Sequence, residues 1–113
     1  MSENIQDTLK DRARTHGDYR YVSQMSQHLK NTLKSSSFYN DLEFYMVESL
    51  EMIQTKEARI LAGDARQKEH WRDIAGYAML VVNELDRAER EYAMERAMAS
   101  VRVEEPNDQQ PTE

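Results

Sequence analysis

The sequence predicts an all-α fold, a four-helix bundle with a long C-terminal helix. The 113 residues include only three Gly and two Pro, and both Pro follow residue 105, so the turn signals of an all-β chain are missing. Apolar residues recur at steps of three and four, which is the period of an amphipathic helix. We predict a single helical domain over residues 1–100 and a disordered acidic tail over residues 101–113, because the tail has little to bury.

The first two predicted helices are separated by a glycine. Ser2 is the predicted N-cap of the first helix, and Gly17 ends it because glycine readily adopts the left-handed conformation. The apolar residues of this helix are Ile5, Leu9 and Ala13. Asp18 is predicted to cap the second helix, which carries one apolar stripe up to the three serines at 35–37. The stripe consists of Val22, Met25, Leu29 and Leu33.

The third and fourth predicted helices carry the longest apolar patterns. Asn40 and Glu43 form a capping box that predicts a third helix over 41–62, ended by Gly63. The fourth begins between residues 64 and 69, and its predicted buried side spans about 140° of the helix. That side consists of Trp71, Ile74, Ala75, Ala78, Val81, Val82, Leu85, Ala88 and Tyr92. Gly76 lies inside this helix, where glycine costs about 1 kcal/mol relative to alanine, and therefore predicts a close approach.

The length of the fourth helix predicts oligomerisation. A helix over residues 69–100 would be roughly 48 Å long, whereas a compact chain of this size is roughly 34 Å across. Met94, Met98 and Val101 give the excess length an apolar edge. We therefore expect a homodimer or higher oligomer, and a frayed helix end is the alternative.

Composition excludes several classes of protein. The chain has no Cys, which rules out disulfides, cysteine-based zinc ribbons and thiol nucleophiles. No apolar run reaches the 18–20 residues of a membrane span, so we expect a soluble, cytoplasmic protein without a membrane partner. The net charge of −6 disfavours direct binding to nucleic acid.

Acidic residues on two neighbouring helices form the candidate metal site. Glu48 and Glu51 share a face of the third helix with Thr55 and Arg59. Asp73 lies on the fourth helix, with His70 on the same side. Oxygen-rich sites suit Mg²⁺, which neutralises phosphate oxygens and activates water. We predict Glu48, Glu51 and Asp73 as metal ligands and His70 as a ligand or water-orienting base. The alternative for Glu48 and Glu51 is a solvated helix face. The alternative for His70 is a histidine that caps a helix or packs in the interior.

Basic and aromatic residues near these acids are candidate contacts for a nucleotide. Lys56 and Arg59 are the predicted phosphate contacts, and Arg12 and Arg14 are further sources of positive charge. Tyr77 is a candidate substrate-binding residue because it follows Gly76. The sequence contains no glycine-rich phosphate loop and no arrangement for a nucleophilic side chain. Two hypotheses about function therefore remain, namely metal-assisted hydrolysis and a protein without catalytic activity.

Three segments of the chain resemble a small family of phage and prophage proteins. They read THGDY at 15–19, KEARILAGD at 56–64 and HWRDIAGYA at 70–78, and the resemblance covers about residues 8–85. The chain more distantly resembles the MazG-like all-α nucleotide pyrophosphohydrolases, which hold Mg²⁺ with E-x-x-E on one helix and E-x-x-D on the next. Glu48-x-x-Glu51 matches the first element, whereas His70-x-x-Asp73 has histidine in place of the second glutamate.

The resemblance implies a phage-encoded, MazG-like bundle that acts in the host cytoplasm on a nucleotide. The implied reaction is attack of a metal-activated water on the α–β phosphoanhydride of a nucleoside triphosphate, with subunits pairing to complete the site. The alternative is a non-catalytic protein that binds and inhibits a host defence or nucleic-acid-processing factor. The acidic second half of the chain favours that alternative, because an acidic surface complements a basic groove.

Overall fold

The computed structural model describes residues 4–108, with side chains described to residue 101, and these residues contain helices and no strand. The elements are α1 (Ile5–His16), α2 (Tyr19–Lys34), a 3₁₀ turn (Tyr39–Asp41), α3 (Phe44–Ala62) and α4 (Lys68–Asp108). The all-α prediction is confirmed, and the helix order agrees with the sequence pattern. The chain divides into two compact units, residues 1–81 and 82–113.

In the first unit, α2 and α3 form the main helix pair. Gln54 reaches across from α3 and donates through Nε2 to the Leu29 carbonyl oxygen at 3.0 Å. Ser26 and Thr55 bring their hydroxyl oxygens within 3.5 Å of each other. Ala58 is completely buried, and its small side chain lets the neighbouring helix approach closely. This pair places Thr55 and Arg59, one turn apart, beside α2.

The start of α4 is fastened to the end of α1 by the Thr15 carbonyl oxygen. It accepts two hydrogen bonds, both 3.1 Å long, from the Asp64 backbone N–H and from His70 Nε2. Gly17 and Gly63 let the two backbones meet there, and Gly17 has a φ of 90°, which favours glycine. A Cβ on Gly63 would lie 2.5 Å from the Thr15 oxygen. We call these five residues the Thr15 joint.

The helix starts differ from the predicted caps. Ser2 lies outside the described residues, and the N-cap of α1 is Asn4, whose Oδ1 accepts from the Asp7 N–H at 2.8 Å. The capping box at Asn40 is wrong, because residues 39–41 form a 3₁₀ turn and Leu42 is extended. α3 therefore begins at Phe44, with Glu43 at the N-cap.

The predicted buried side of α4 is largely open. In the first unit Trp71 is 54% exposed, and its indole nitrogen donates to the Ala65 carbonyl oxygen at 2.8 Å. In the second unit Val82, Leu85 and Tyr92 are exposed as well. The prediction of a close helix crossing at Gly76 is also wrong, because no described residue lies within 4 Å of the position its Cβ would take, and the alternative of a ligand beside Tyr77 stays a prediction. Helical periodicity identified an apolar face here, but not whether this chain covers it.

The second unit consists of α4 from Val82 onward. A lone helix has few contacts outside itself, and the single domain predicted over residues 1–100 stays a prediction. Helix continues to Asp108, into the segment predicted to be disordered, since extending an existing helix avoids the cost of nucleation. Residues 109–113 of that segment lie outside the described residues. Among the described helices, none combines the length and apolar character needed to cross a membrane.

Candidate functional site

A groove of about 700 Å³ lies between α1, α2 and the C-terminal half of α3. The α1–α2 turn forms one end of it, where Gly17, Asp18 and Tyr19 contribute to the wall. Polar side chains from α2 and α3 line the middle, namely Ser23, Ser26, Gln27 and Thr55. A volume of this size is within the range of sites for small ligands and cofactors.

Three permanent cations line the groove, one from each helix. Arg12 comes from α1, Lys30 from α2 and Arg59 from α3. Within the described residues none of the three forms an ion pair with a carboxylate. Asp18 is the sole acidic residue among those lining the groove. The groove therefore carries excess positive charge in a chain whose net charge is −6.

Arg12 is close enough to disfavour the positive charge of Arg59. The pKa of Arg59 is lowered, first because burial disfavours the charged guanidinium and second because of the positive charge of Arg12. Asp73 and Tyr77 act in the opposite direction on the same group. An arginine keeps its charge under all physiological conditions, so this repulsion remains in the empty groove. An anion bound between Arg12 and Arg59 would relieve it.

His16 adds a titratable group to the same wall. Its pKa is lowered from the ordinary value, first by burial and then by the positive charge of Arg59, with further contributions from His70, Arg12 and Lys56. The ring packs edge to face against the ring of His70, with centroids 4.8 Å apart. The environment of His16 is thus electropositive when the groove is empty.

The described residues do not bring the predicted metal ligands together. No group of three or more His, Asp or Glu side chains in that part of the chain is arranged to hold a metal ion. Asp73 instead accepts an ion pair from Lys56, with Nζ and Oδ2 2.9 Å apart, and this hydrogen bond is the main cause of the lowered pKa of Asp73. Glu48 is exposed, and Glu51 is half-buried on the face of α3 that continues to Thr55.

His70 is a structural residue in this arrangement. It is 1% exposed, and Nε2 must donate to the Thr15 carbonyl oxygen because a carbonyl only accepts. A water molecule or metal ion in the groove cannot reach Nε2, because that nitrogen already donates to the Thr15 carbonyl oxygen. The role of His70 as a water-orienting base or metal ligand stays a prediction.

The remaining predicted contacts divide between the groove and its surroundings. Arg59 lines the groove as a phosphate contact should. Lys56 is engaged by Asp73, and its side chain is only 13% exposed. Tyr77 is half-buried on α4 and is not among the residues lining the groove. Arg14 is exposed and lies 3.7 Å from Asp11.

Sequence reasoning missed Lys30 and His16 as groove residues. His16 lies in the THGDY segment. The sequence indicated that a helix ends there, but not that the His16 side chain lines a groove. Lys30 gave no signal, because a lysine on an amphipathic helix is usually solvated. Only the pairing of α2 with α3 places it beside the other cations.

Comparison with known proteins assigns neither a family nor a function to this chain. No protein-family model matches the chain, and neither a curated protein nor a solved structure shows significant similarity to it.

Proposed function

We propose that this protein binds the phosphate groups of a nucleotide in the groove between α1, α2 and α3. The observation that carries the proposal is the set of three cations, Arg12, Lys30 and Arg59, that have no carboxylate partner among the described residues and line a groove of about 700 Å³. A surface cation costs little when it is solvated alone, but the charge of Arg12 disfavours that of Arg59. A ligand with several negative charges offsets that repulsion.

The polar residues between the cations favour a nucleotide over a simple inorganic anion. Ser23, Gln27 and Thr55 offer hydroxyl and amide groups that suit a sugar or a base. Tyr19 lines the end of the groove and is 81% exposed, so its ring is available for stacking. The groove thus offers neutral polar groups for a sugar or base as well as cations for phosphate groups.

Replacement of Arg59 by glutamine tests the binding proposal. We expect the affinity for ATP to fall about tenfold or more, since a hydrogen bond to a charged group contributes about 1.5–3 kcal/mol. The measurement is isothermal titration calorimetry at physiological salt. The matched control is Arg72→Gln, because Arg72 is exposed on α4 outside the groove. Absence of ATP binding to the unmodified protein, or an equal loss in both variants, would contradict the proposal.

Hydrolysis of the bound nucleotide is the proposed activity. It rests on the resemblance to MazG-like pyrophosphohydrolases and on the position of Glu48 and Glu51 along the helix face that also carries Thr55 and Arg59. A Mg²⁺ ion held by these two carboxylates would neutralise phosphate oxygens and lower the pKa of an attacking water. Because Asp73 is paired with Lys56, the proposal needs further oxygen ligands, from the substrate or from a second subunit.

The activity is tested with a panel of nucleoside triphosphates and Mg²⁺. We expect pyrophosphate release from at least one of them, and a loss of at least about a hundredfold in Glu51→Gln, because removing one carboxylate weakens the metal site. Glu57→Gln is the control, since Glu57 is an exposed residue of the same helix. No pyrophosphate release from any triphosphate, or equal activity of Glu51→Gln and Glu57→Gln, would reject the enzyme.

The alternative function is non-catalytic binding of a protein, either a second copy of this chain or a host factor. The observation that favours it is the set of exposed apolar side chains in the second unit, which form two stripes on different sides of α4. One stripe consists of Val82, Leu85 and Tyr92, and the other of Met94, Met98 and Val101. Single exposed apolar residues are ordinary, whereas apolar stripes on one helix are typical of a surface that another chain covers. ATP binding without hydrolysis would favour this alternative.

A further inference from the structure

His16 is held in the groove wall by contacts on two sides of its ring. Nδ1 lies 2.7 Å from Thr15 Oγ1, and the ring packs against that of His70. His16 itself is half-buried and lines the groove. Its ring therefore has a defined position beside the cations, unlike that of His28, which is exposed on α2.

Two contacts of Thr15 Oγ1 bear on the position of the proton in the neutral His16 ring. The hydroxyl lies 3.3 Å from the Arg12 carbonyl oxygen, which can only accept, and 2.7 Å from Nδ1 of His16. We assign the arrangement that satisfies both contacts, in which the hydroxyl donates to the carbonyl oxygen and accepts from Nδ1–H. Both bonds are satisfied in this arrangement, and Nε2 is left as the nitrogen that can take up a proton.

The second imidazole at this position, that of His70, is not among the residues lining the groove. His70 donates through Nε2 to the Thr15 carbonyl oxygen, and it is enclosed by protein. Two charged rings with centroids 4.8 Å apart would repel each other. The proton that responds to a ligand in the groove is therefore assigned to His16.

The charged groups around His16 come from every helix of the first unit and from the α1–α2 turn. The positive groups that act on His16 are Arg12 on α1 and Lys56 and Arg59 on α3, and Lys30 on α2 lines the same groove. The negative groups are Asp18 in the turn and Asp73 on α4, and Asp73 is already paired with Lys56. Positive charge is in excess, so the empty groove disfavours protonation of His16.

We propose that His16 is a further ligand-binding residue of the groove, which takes up a proton at Nε2 when a tetrahedral dianion such as a phosphate group enters. This inference rests on the function proposed above. The dianion adds negative charge beside His16 and reverses the balance that disfavours its protonation. The complex then binds more protons than the free protein, and by linkage the affinity rises as the pH falls.

Sulfate is the probe for this proposal, because its charge stays constant between pH 5 and 8, whereas a phosphate monoester titrates in that interval. The chain has only three histidines, so NMR can follow each ring after assignment by single His→Gln variants. We expect saturating sulfate to move the titration midpoint of His16 to higher pH than chloride at equal ionic strength. The midpoint of His28 should stay unchanged. Sulfate should bind roughly fivefold more tightly at pH 6 than at pH 8.

The variant His16→Gln provides the second readout. It should bind sulfate with the same affinity at pH 6 and pH 8, whereas His28→Gln should keep the dependence of the unmodified protein. An unchanged His16 midpoint, with ATP still bound in an Arg59-dependent manner, would overturn this inference and leave the proposed function intact. Failure of both sulfate and ATP to bind would overturn the two together.

Discussion

Replacement of Gly63 by alanine is expected to lower the free energy of unfolding by about 3 kcal/mol, because the new methyl group overlaps backbone atoms that cannot move independently. The added Cβ would lie 2.5 Å from the Thr15 carbonyl oxygen and 2.7 Å from the Gly17 nitrogen. Relief of this overlap requires the Thr15 joint to open, which also loses its two hydrogen bonds. Urea denaturation followed by circular dichroism measures the change.

Gly76→Ala is the control for this substitution. Its Cβ would meet nothing within 4 Å, and Gly76 lies inside α4, where alanine is favoured over glycine by about 1 kcal/mol. We therefore expect Gly76→Ala to stabilise the protein while Gly63→Ala destabilises it. Equal effects of the two substitutions would show that the end of α1 and the end of α3 do not meet at Gly63.

Replacement of His70 by alanine should also cost about 3 kcal/mol of stability. The imidazole is almost fully buried, so its removal leaves a cavity, and the Thr15 carbonyl oxygen loses one of its two donors. The free energy of unfolding from chemical denaturation is again the measurement. The result separates a structural His70 from a catalytic one, because a catalytic residue can usually be removed without such a loss.

His28→Ala is the matched control for His70, since His28 is exposed and its change should stay within about 0.5 kcal/mol. If His70→Ala were as stable as His28→Ala but lost pyrophosphate release, the original interpretation of His70 as a catalytic base would be restored. If His70→Ala were less stable but its folded molecules still released pyrophosphate, the structural role of His70 would be supported.

Most of the fold could be predicted from the sequence because helical periodicity and glycine stops are local signals. Gly17 and Gly63 mark the ends of α1 and α3 as predicted. The start of α3 was predicted too early. Asn40 and Glu43 match the sequence of a capping box, but such a match does not show that the chain forms one. Exposure of the apolar side of α4 was missed because periodicity reports a face and not its partner.

The candidate site was less predictable because it depends on contacts between distant segments. Arg59 was identified because it shares a helix face with Thr55, and both line the groove. His70 and Asp73 share a face on α4, but their partners Thr15 and Lys56 lie on other helices, and these partners determine their roles. Spacing along one helix cannot reveal which residue of another helix will be opposite.

None of the twelve residues of α1 is fully buried, although α1 supplies Arg12 and His16 to the groove. Local unfolding in proteins begins where few apolar contacts must be broken, so amide hydrogen exchange should start in α1 before it reaches α3. If this wall detached while the α2–α3 pair stayed folded, Arg12 and His16 would leave the groove with it. The affinity for a ligand would then include the free energy that keeps the first helix docked.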